Sequence, residues 1–377
     1  MSTGTTWRDE PPFRADHVGS LLRPRELLDA RARHVAGDLD DAALREAEDH
    51  AIEHVIGLQR DAGLQTVTDG EFRRTSWHMD FIYQLDGVDR TDDKLQVHFH
   101  NAEGDLDFES AALAVHDRVG LRDTIFGDAF TFLREHAPEG MTPKLTIPSP
   151  SMVHYRGGRA AIDQRVYPEL DAFWDDLVAA YAEEVRRLGD LGCRYLQLDD
   201  TSLAYLNDPE QRELVASQGS DAEHVHEQYI RNINAAIRDR PDGMRVTTHM
   251  CRGNFRSSWA ASGSYDFVAE ALFGGLEVDG FFLEYDDERS GGFDPLRYVP
   301  EGKLVVLGLV TTKRGELEDK DTLKRRVEEA SRFVPLEQLC LSPQCGFSST
   351  VEGNVLTQSQ EEAKLALVVE TAQEIWG

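Results

Sequence analysis

Short apolar segments alternate with longer amphipathic segments along most of this chain. Eight segments have the β-branched and aromatic content of strands: residues 13–20, 65–71, 143–149, 194–200, 245–251, 280–286, 303–311 and 339–347. Between them, longer segments carry apolar residues at helical spacing, and several end in glycine, a common helix stop. This alternation indicates a parallel sheet wrapped by helices, and eight strands close a (β/α)8 barrel.

One region interrupts the alternation. Residues 78–140 contain polar, aromatic-bearing stretches such as KLQVHFH and do not fit a single βα unit. We therefore expect an α/β fold in which one TIM barrel spans residues 1–377, with an insertion or lid at 78–140 between strands two and three. The start of the chain has no apolar segment after a basic one, and no run of about 18 apolar residues occurs. These features predict a cytoplasmic protein without a membrane span.

The charge balance limits the partners. The chain has 69 acidic and 40 basic residues and a formal net charge of −29, which would repel the phosphates of a nucleic acid. The acidic residues are spread along the predicted helices, as on a solvated surface. Adaptation to a salty cytoplasm and an arginine-rich composition from a GC-rich genome both account for this acidity. The oligomeric state stays open between a monomer and a homo-oligomer.

The four cysteines are too few for a disulfide scaffold in a chain of 377 residues. Cys193 and Cys340 lie in apolar, strand-like segments and are expected in the core. Cys251 and Cys345 lie instead at the ends of predicted strands. They are therefore candidates for metal ligands.

A candidate metal site follows from the predicted barrel. His249 and Cys251 end the fifth strand, Glu284 ends the sixth and Cys345 ends the eighth. Strand ends of this kind meet at one mouth of a barrel, and residues i and i+2 share a face. An imidazole, two thiolates and a carboxylate form a set suited to Zn²⁺, with the carboxylate as an exchangeable ligand. Packed core residues and a purely structural zinc are the alternatives, although structural sites usually use closely paired cysteines.

Two further acids, Glu71 and Asp199, end strands two and four, where apolar residues would otherwise be buried. A buried carboxylate must be paired or must bind a cationic ligand. One interpretation is that both acids hold an ammonium group. The other is that Arg14, Arg73 or Arg74 pairs with them inside the barrel.

The motifs THMC, LE and PQCG, with HVGSL, DGEF and QLDD in order, resemble the catalytic C-terminal barrel of cobalamin-independent methionine synthase, and most closely its short single-barrel members. The resemblance covers nearly the whole chain. It implies that zinc is bound by His249, Cys251, Glu284 and Cys345. It also implies that Val18, Gly19 and Ser20 meet the carboxylate of homocysteine, while Glu71 and Asp199 hold its amine. The implied reaction is S-methylation of homocysteine to methionine, with a methyl-folate or a methyl-carrier protein as alkyl donor.

The chain departs from this family on the side of the alkyl donor. Where the full-length enzyme has DIHSP, whose histidine protonates the leaving folate, this chain has TTKRG, which places Lys313 there as a candidate proton donor. His154 and Tyr205 stand where the family has a tryptophan and an acid that contact the pterin. The resemblance therefore implies a retained thiol side and an altered donor side.

Two other functions fit parts of the pattern. Epoxyalkane:coenzyme M transferase resembles this barrel and uses similar zinc–thiolate chemistry, and Lys313 or Arg256 would then face a sulfonate or protonate an alkoxide. Glu71 and Asp199 argue against it, because coenzyme M has no amino group. A non-catalytic zinc-binding barrel is the third hypothesis, although it gives the acids on the substrate side no role.

Overall fold

The computed structural model describes residues 8–101 and 104–377, so residues 1–7 and 102–103 of the predicted 1–377 unit lie outside the described residues. Within the described part, the strands are β1 (Thr66–Val67), β2 (Asp86–Asn101), β3 (Gly104–Gly120), β4 (Thr142–Pro148), β5 (Tyr195–Asp200), β6 (Arg245–Met250), β7 (Gly280–Glu284), β8 (Leu304–Val310) and β9 (Leu339–Pro343). The helices are α1 (Arg25–Val35), α2 (Asp41–Asp61), α3 (Met79–Ile82), α4 (Gly127–His136), α5 (Ser151–Tyr155), α6 (Leu170–Asp190), α7 (Ser202–Tyr205), α8 (Pro209–Ser217), α9 (Val225–Ile237), α10 (Ala269–Gly275), α11 (Lys320–Ala330) and α12 (Gln358–Trp376).

Seven parallel strands form one curled sheet in the order β1-β4-β5-β6-β7-β8-β9. The central strands are buried along nearly their whole length, as expected where helices cover the outer face and side chains fill the inner face. Six of them match predicted strands closely. The α/β barrel class predicted from the sequence is confirmed, and the strand ends that carry the candidate site lie at one edge of this sheet.

The predicted first strand, residues 13–20, is not a strand. It makes a single parallel bridge, between Ala15 and Leu341 of β9. The carboxylate of Asp16 accepts hydrogen bonds from the backbone N–H groups of Phe13 (3.2 Å) and His17 (2.8 Å), which bends the backbone away from a ladder. The segment nevertheless lies between the two edges of the sheet, because Leu21 N donates to the carbonyl beyond β1.

The predicted second strand, residues 65–71, is reduced to the two residues of β1. Thr68 N donates to the side chain of Gln59 (2.8 Å), and Glu71 N donates to the side chain of Asp69 (2.9 Å), so side chains replace a partner strand. Gly70 and Glu71 both have positive φ, 66° and 62°. Glu71 therefore lies in a tight turn beyond the strand rather than at its end.

The region between β1 and β4 contains a long antiparallel hairpin, β2–β3, flanked by α3 and α4. The hairpin is joined to the loop after β6 by a pair of hydrogen bonds between His100 and Trp259, at 2.7 and 2.9 Å. The middle of β3 is joined to the end of α3, because the hydroxyl of Tyr83, directly after α3, donates to Ala112 O at 3.1 Å. The hairpin therefore extends over the barrel mouth from one side.

The outer helices have the end signals that the sequence suggests. Asp40 caps α2 by accepting from Ala43 N at 2.8 Å, and Thr357 and Gln360 form a capping box at the start of α12. Among the described residues, we find no helix with the length and apolar character to cross a membrane.

Candidate active site

Four potential ligand side chains converge at the carboxyl edge of the sheet. His249 lies in β6, Glu284 is the last residue of β7, and Cys251 and Cys345 lie just beyond β6 and β9. One donor atom from each lies within 4.8 Å of all the others, and all four residues are buried. Neither ring nitrogen of His249 has a hydrogen-bond partner among the described residues. Since a buried imidazole normally has one, this donor set fits a metal ion.

The two cysteines of this cluster lie close together, with their Sγ atoms 3.4 Å apart. The pKa of Cys345 is held well below its usual range, mainly by a hydrogen bond from Cys251, with burial opposing and His249 assisting. The same hydrogen bond and burial raise the pKa of Cys251. The close approach lets one thiol stabilise the other as a thiolate, which is the form of cysteine that binds a metal ion.

The carboxylate of Glu284 is held by two arginines that the sequence analysis did not identify. Its Oε1 accepts from the backbone N–H of Arg252 at 2.9 Å, and its Oε2 lies 3.5 Å from Nη1 of Arg289. The Arg252 side chain is fully buried and also donates to the Glu284 carbonyl at 2.9 Å. Burial raises the pKa of Glu284, and the charges of Lys313 and Arg289 oppose that rise. In the sequence, the one feature that could have pointed to Arg252 is its charged side chain directly after Cys251.

A cavity of about 240 Å³ opens beside the cluster. The residues of the sequence analysis that line it are Val18, Ser20, Glu71, Asp199, Tyr205, His249, Cys251 and Cys345. It therefore brings the expected thiol-side residues and three of the candidate metal ligands together in one chamber with Tyr205 of the donor side. Glu284 lies behind the cluster, outside the lining.

The two acids of the thiol side act on each other electrostatically. Burial raises the pKa of Asp199 to about 7, with His249 opposing and Glu71 adding to the rise. Arg74 lies 3.4 Å from Glu71, so one of the arginines considered as partners does pair with it. Arg73 binds acids of α2, and Arg14 donates to main-chain carbonyls.

The segment Val18–Ser20 approaches the sheet closely. Gly19 has φ 145°, and a Cβ there would lie 2.7 Å from the Thr146 methyl group, so only glycine fits without a shift. The loop after β9 packs against the same segment, because a Cβ on Gly346 would lie 1.9 Å from Ser20 Oγ. These two glycines bring Ser20 beside Cys345.

Apart from Tyr205, the candidate donor-side residues lie outside the cavity lining. Lys313 is half-buried and its Nζ makes no hydrogen bond within the described chain, while its charge acts on Glu284 and Cys345. His154 is buried, bonds the hydroxyl of Tyr229 at 2.9 Å and packs against Trp174. Neither Lys313 nor His154 lines the cavity, and Arg256 is exposed outside it.

An aromatic part of the cavity wall comes from residues that the sequence analysis missed. Phe99 and Phe108 of the hairpin meet Phe255, with ring centroids 5.4 and 4.2 Å from it. Trp77 and His78 line the same wall. Their roles depend on how the hairpin folds over the mouth, and no short motif encodes that.

Comparison with known proteins agrees with this architecture. The family described as "Cobalamin-independent synthase, Catalytic domain" matches residues 138–374. The uncharacterized protein YxjH of Bacillus subtilis (strain 168) is 47% identical over 375 residues, covering 97% of this chain and 95% of that protein.

Two solved structures are similar over nearly their whole length. A candidate vitamin-B12 independent methionine synthase from Listeria monocytogenes has a TM-score of 0.78 and 40% identity, covering 98% of this chain and 99% of that one. A B12-independent methionine synthase from Shewanella sp. W3-18-1, in complex with selenomethionine, has a TM-score of 0.73 and 19% identity, covering 96% and 97%. The second likeness concerns the fold alone. With the family match and these relatives, the chain belongs to the cobalamin-independent methionine synthase family.

Proposed function

We propose that this protein is a zinc-dependent methyltransferase that methylates the thiol of homocysteine to give methionine. The observation that carries the proposal is the meeting of the cluster His249, Cys251, Glu284 and Cys345 with two buried acids at one small cavity. The cluster suits a metal-bound thiol, and the acids suit the amino group of the same ligand. Neither a set of packed core residues nor a purely structural metal site would require both the cluster and the two acids.

Zinc is the metal that the donor set favours, since one imidazole, two thiolates and one carboxylate are typical zinc ligands. When bound, it would supply a positive centre that lowers the pKa of an arriving thiol, which is ordinarily about 8.5. All four cysteines of the chain are free. Free thiols agree with action in a reducing compartment, and we place the protein in the cytoplasm.

The chain's own residues orient the amino acid. Glu71 and Asp199 would hold its ammonium group, and the charge of that group would favour the ionised form of both acids. Val18 and Ser20 line the cavity, where the backbone and a hydroxyl group can meet the carboxylate. Gly19 lets this segment approach β4 closely enough to do so.

Glu284 is suited to the role of exchangeable ligand. When the thiol arrives, the carboxylate can remain with its two existing partners, the Arg252 N–H and the Arg289 guanidinium. A carboxylate that keeps these partners would need no new solvation when it gives up its place as a metal ligand. We do not extend the proton-donor role to Lys313, because it lies outside the cavity lining.

The test begins with metal content and thiol choice. Purified protein should contain about one zinc per chain, and cobalt-substituted protein should change its visible spectrum with homocysteine. Cys345→Ser should lose the metal, whereas Cys193→Ser, a buried thiol outside the cluster, should keep it. A spectral response to coenzyme M but not to homocysteine would reject the proposal and favour the epoxyalkane transferase function. Full metal retention in Cys345→Ser would reject the site itself.

A further inference from the structure

Three buried side chains hold the backbone of residues 17–19, which lie in the segment that was predicted as the first strand. Each donates a hydrogen bond to one main-chain carbonyl. The bonds run from Lys144 Nζ to His17 O (2.6 Å), from Gln197 Nε2 to Val18 O (2.8 Å) and from Thr68 Oγ1 to Gly19 O (2.6 Å). These three anchor residues therefore satisfy carbonyl groups that a partner strand would satisfy in a complete ladder.

Lys144 lies inside the barrel, beneath the cavity. It is the third residue of β4, and its side chain is fully buried. Its Nζ lies 4.1 Å from the centroid of the Phe282 ring in β7 and 3.6 Å from Asp16 Oδ1. Burial lowers the pKa of Lys144, and the charge of Asp16 opposes this. Because parallel strands end at the mouth, an early residue of β4 is further from the mouth than the cavity.

The anchor residues determine where the N–H groups of this segment point. The peptide bonds here are trans, so a carbonyl oxygen and the N–H group of the next residue point in opposite directions. Lys144 and Gln197 bind His17 O and Val18 O from beneath the cavity. The N–H groups of Val18 and Gly19 therefore point toward the mouth, where a carboxylate can accept from both.

The charge of Lys144 strengthens one of these donors. A hydrogen bond from an ammonium group is stronger than one from a neutral donor, and it polarises the group that accepts it. His17 O and the N–H of Val18 belong to the same peptide unit. Lys144 therefore makes that N–H group a better donor to an anion without reaching the cavity itself, whose lining it does not join.

The same region beneath the cavity fixes the two acids of the thiol side. Gln197 Nε2 also donates to Asp199 Oδ1 at 2.7 Å, and Thr146 Oγ1 donates to Glu71 Oε1 at 2.6 Å. A Cβ on Gly19 would lie 3.8 Å from that same Glu71 oxygen. The N–H groups and the acids are therefore held close together, as a ligand requires when its carboxylate and ammonium group share one carbon atom.

Barrel stability alone does not account for the anchor residues. Barrel interiors are ordinarily filled by branched apolar side chains, and burying a lysine is costly even when it is paired. Val18, Phe282, Val306 and Cys340 form a small apolar cluster of the ordinary kind. Along β4 and β5, by contrast, the positions that share a face with Asp199 and its partners are Lys144, Thr146, Tyr195 and Gln197.

We propose that the three anchor residues position the thiol substrate. By holding residues 17–19 they aim the N–H groups of Val18 and Gly19 at its carboxylate, and they make the site selective for thiols that carry a carboxylate and an ammonium group on one carbon atom. The proposal rests on the thiol methyltransferase function proposed above. Lys144 and Thr68 act on the carboxylate alone, whereas Gln197 acts on both groups because it also binds Asp199.

The experiment uses three thiols that differ in one group each. Homocysteine has both groups, 4-mercaptobutanoate lacks the amine, and 3-aminopropane-1-thiol lacks the carboxylate. Their affinities for zinc-loaded protein are measured by calorimetry, and thermal unfolding gives the Tm of each variant. The wild-type protein should bind homocysteine more tightly than 3-aminopropane-1-thiol. Equal affinity for these two thiols would overturn the proposal.

Lys144→Met removes the ammonium group and keeps most of the side-chain volume. It should weaken homocysteine and 4-mercaptobutanoate about tenfold, as expected for one charge-assisted hydrogen bond, and 3-aminopropane-1-thiol by less than about twofold. Lys364→Met is the control, because Lys364 is equally buried and donates to Glu316 O at 2.7 Å, away from the cavity. It should lower Tm without changing the ratio of affinities. An equal loss for all three thiols in Lys144→Met, or no loss, overturns the proposal.

Thr68→Val decides the matter if Lys144→Met does not fold, because valine has nearly the shape of threonine. It should weaken the two carboxylate-bearing thiols about threefold and spare 3-aminopropane-1-thiol, and Thr68→Ser, which keeps the hydroxyl, should recover the loss. Thr66→Val is the matched control, since Thr66 Oγ1 has no hydrogen-bond partner within the described chain. The proposal fails if Thr68→Val and Thr66→Val have the same three affinities.

Gln197→Met separates the two subsites. Because Gln197 binds both Val18 O and Asp199, its loss should weaken 4-mercaptobutanoate and 3-aminopropane-1-thiol alike, a pattern that Lys144→Met must not show. Cys345→Ser separates the proposal from the function on which it rests. If that variant binds all three thiols as the wild type does, the methyltransferase function fails. If it loses them and Lys144→Met shows no preference among the thiols, the function stands and the positioning role is wrong.

Discussion

Replacing Arg252 with methionine tests how the carboxylate of Glu284 is held. The Arg252 side chain is fully buried and donates to Gly263 O at 3.1 Å, Tyr265 Oη at 3.1 Å and Glu284 O at 2.9 Å. Its guanidinium also lies 4.0 Å from the Tyr265 ring centroid. Methionine fills much of the same volume but donates nothing. Two carbonyl groups and a hydroxyl then lose a buried donor.

The expected loss of stability follows from these contacts. Each buried acceptor left without a donor costs roughly 1–3 kcal/mol, and removal of a desolvated guanidinium offsets part of that cost. The net loss in free energy of unfolding is then about 3 kcal/mol. A chain of 377 residues has an unfolding entropy of about 0.8 kcal/mol per degree, from about 2 cal/mol/K per residue. We therefore expect Arg252→Met to lower Tm by about 4 °C.

The same substitution should weaken zinc binding, because it loosens the strand end that positions Glu284. Loss of an outer contact to a metal ligand typically costs about 10- to 100-fold in affinity. Competition with a chromophoric chelator measures this, alongside calorimetric unfolding of metal-free protein. Arg256→Met, four residues further along the same loop and exposed, is the matched control. If both variants have the Tm and zinc affinity of the wild type, the role given to Arg252 is wrong.

Three further outcomes follow from the described contacts. Burial raises the pKa of Glu184 to about 8, so the folded state keeps a proton that the unfolded state loses above about pH 4.5, and stability falls as pH rises between these values. Glu184→Gln should therefore raise Tm more at pH 8.5 than at pH 5.5. An equal change in Tm at both pH values would contradict this. Glu71→Gln should lower affinity for homocysteine about tenfold or more while barely changing that for 3-mercaptopropionate, which lacks the amine; equal losses by calorimetry would argue against ammonium binding. Gly253→Ala should destabilise the protein by about 2 kcal/mol in thermal unfolding, because φ is 93° and the Cβ would lie 2.7 Å from Tyr205 Oη; Gly274→Ala, with open space at its Cβ, should not.

The barrel and its mouth were predictable because local pattern and topology agree. Strands β4 to β9 overlap predicted segments closely, and the carboxyl ends of β6 and β7 carry His249 and Glu284 as the pattern implied. Parallel strand ends share one edge, so chain order was enough to bring these ligands together. The four-residue cluster was predictable because its members lie at or near these strand ends and have side chains that bind metals.

The parts that were wrong depend on side chains that replace backbone pairing. Asp16, Gln59 and Asp69 each accept from a nearby backbone N–H, and this ends or prevents a strand where the apolar pattern predicts one. A periodicity of apolar residues cannot record such bonds.

The aromatic part of the cavity wall was missed for a different reason. Its aromatic rings come from the hairpin and from the loop after β6, which meet through the hydrogen bonds between His100 and Trp259. The pairing depends on tertiary structure that neither segment encodes alone. Trp77 and His78 likewise reach this wall only through tertiary structure.

The bonds between residues 14–16 and Leu341 join parts of the chain more than 300 residues apart. A ribosome adds about 5–20 residues per second, so the early segment waits roughly 15 to 65 s for β9 to be made. Once β1 has paired with β4, its other side stays uncovered by this segment's bridge to β9, and open sheet edges can recruit foreign strands. The segment holding Val18 and Ser20 therefore cannot complete its contacts with the sheet until β9 is made.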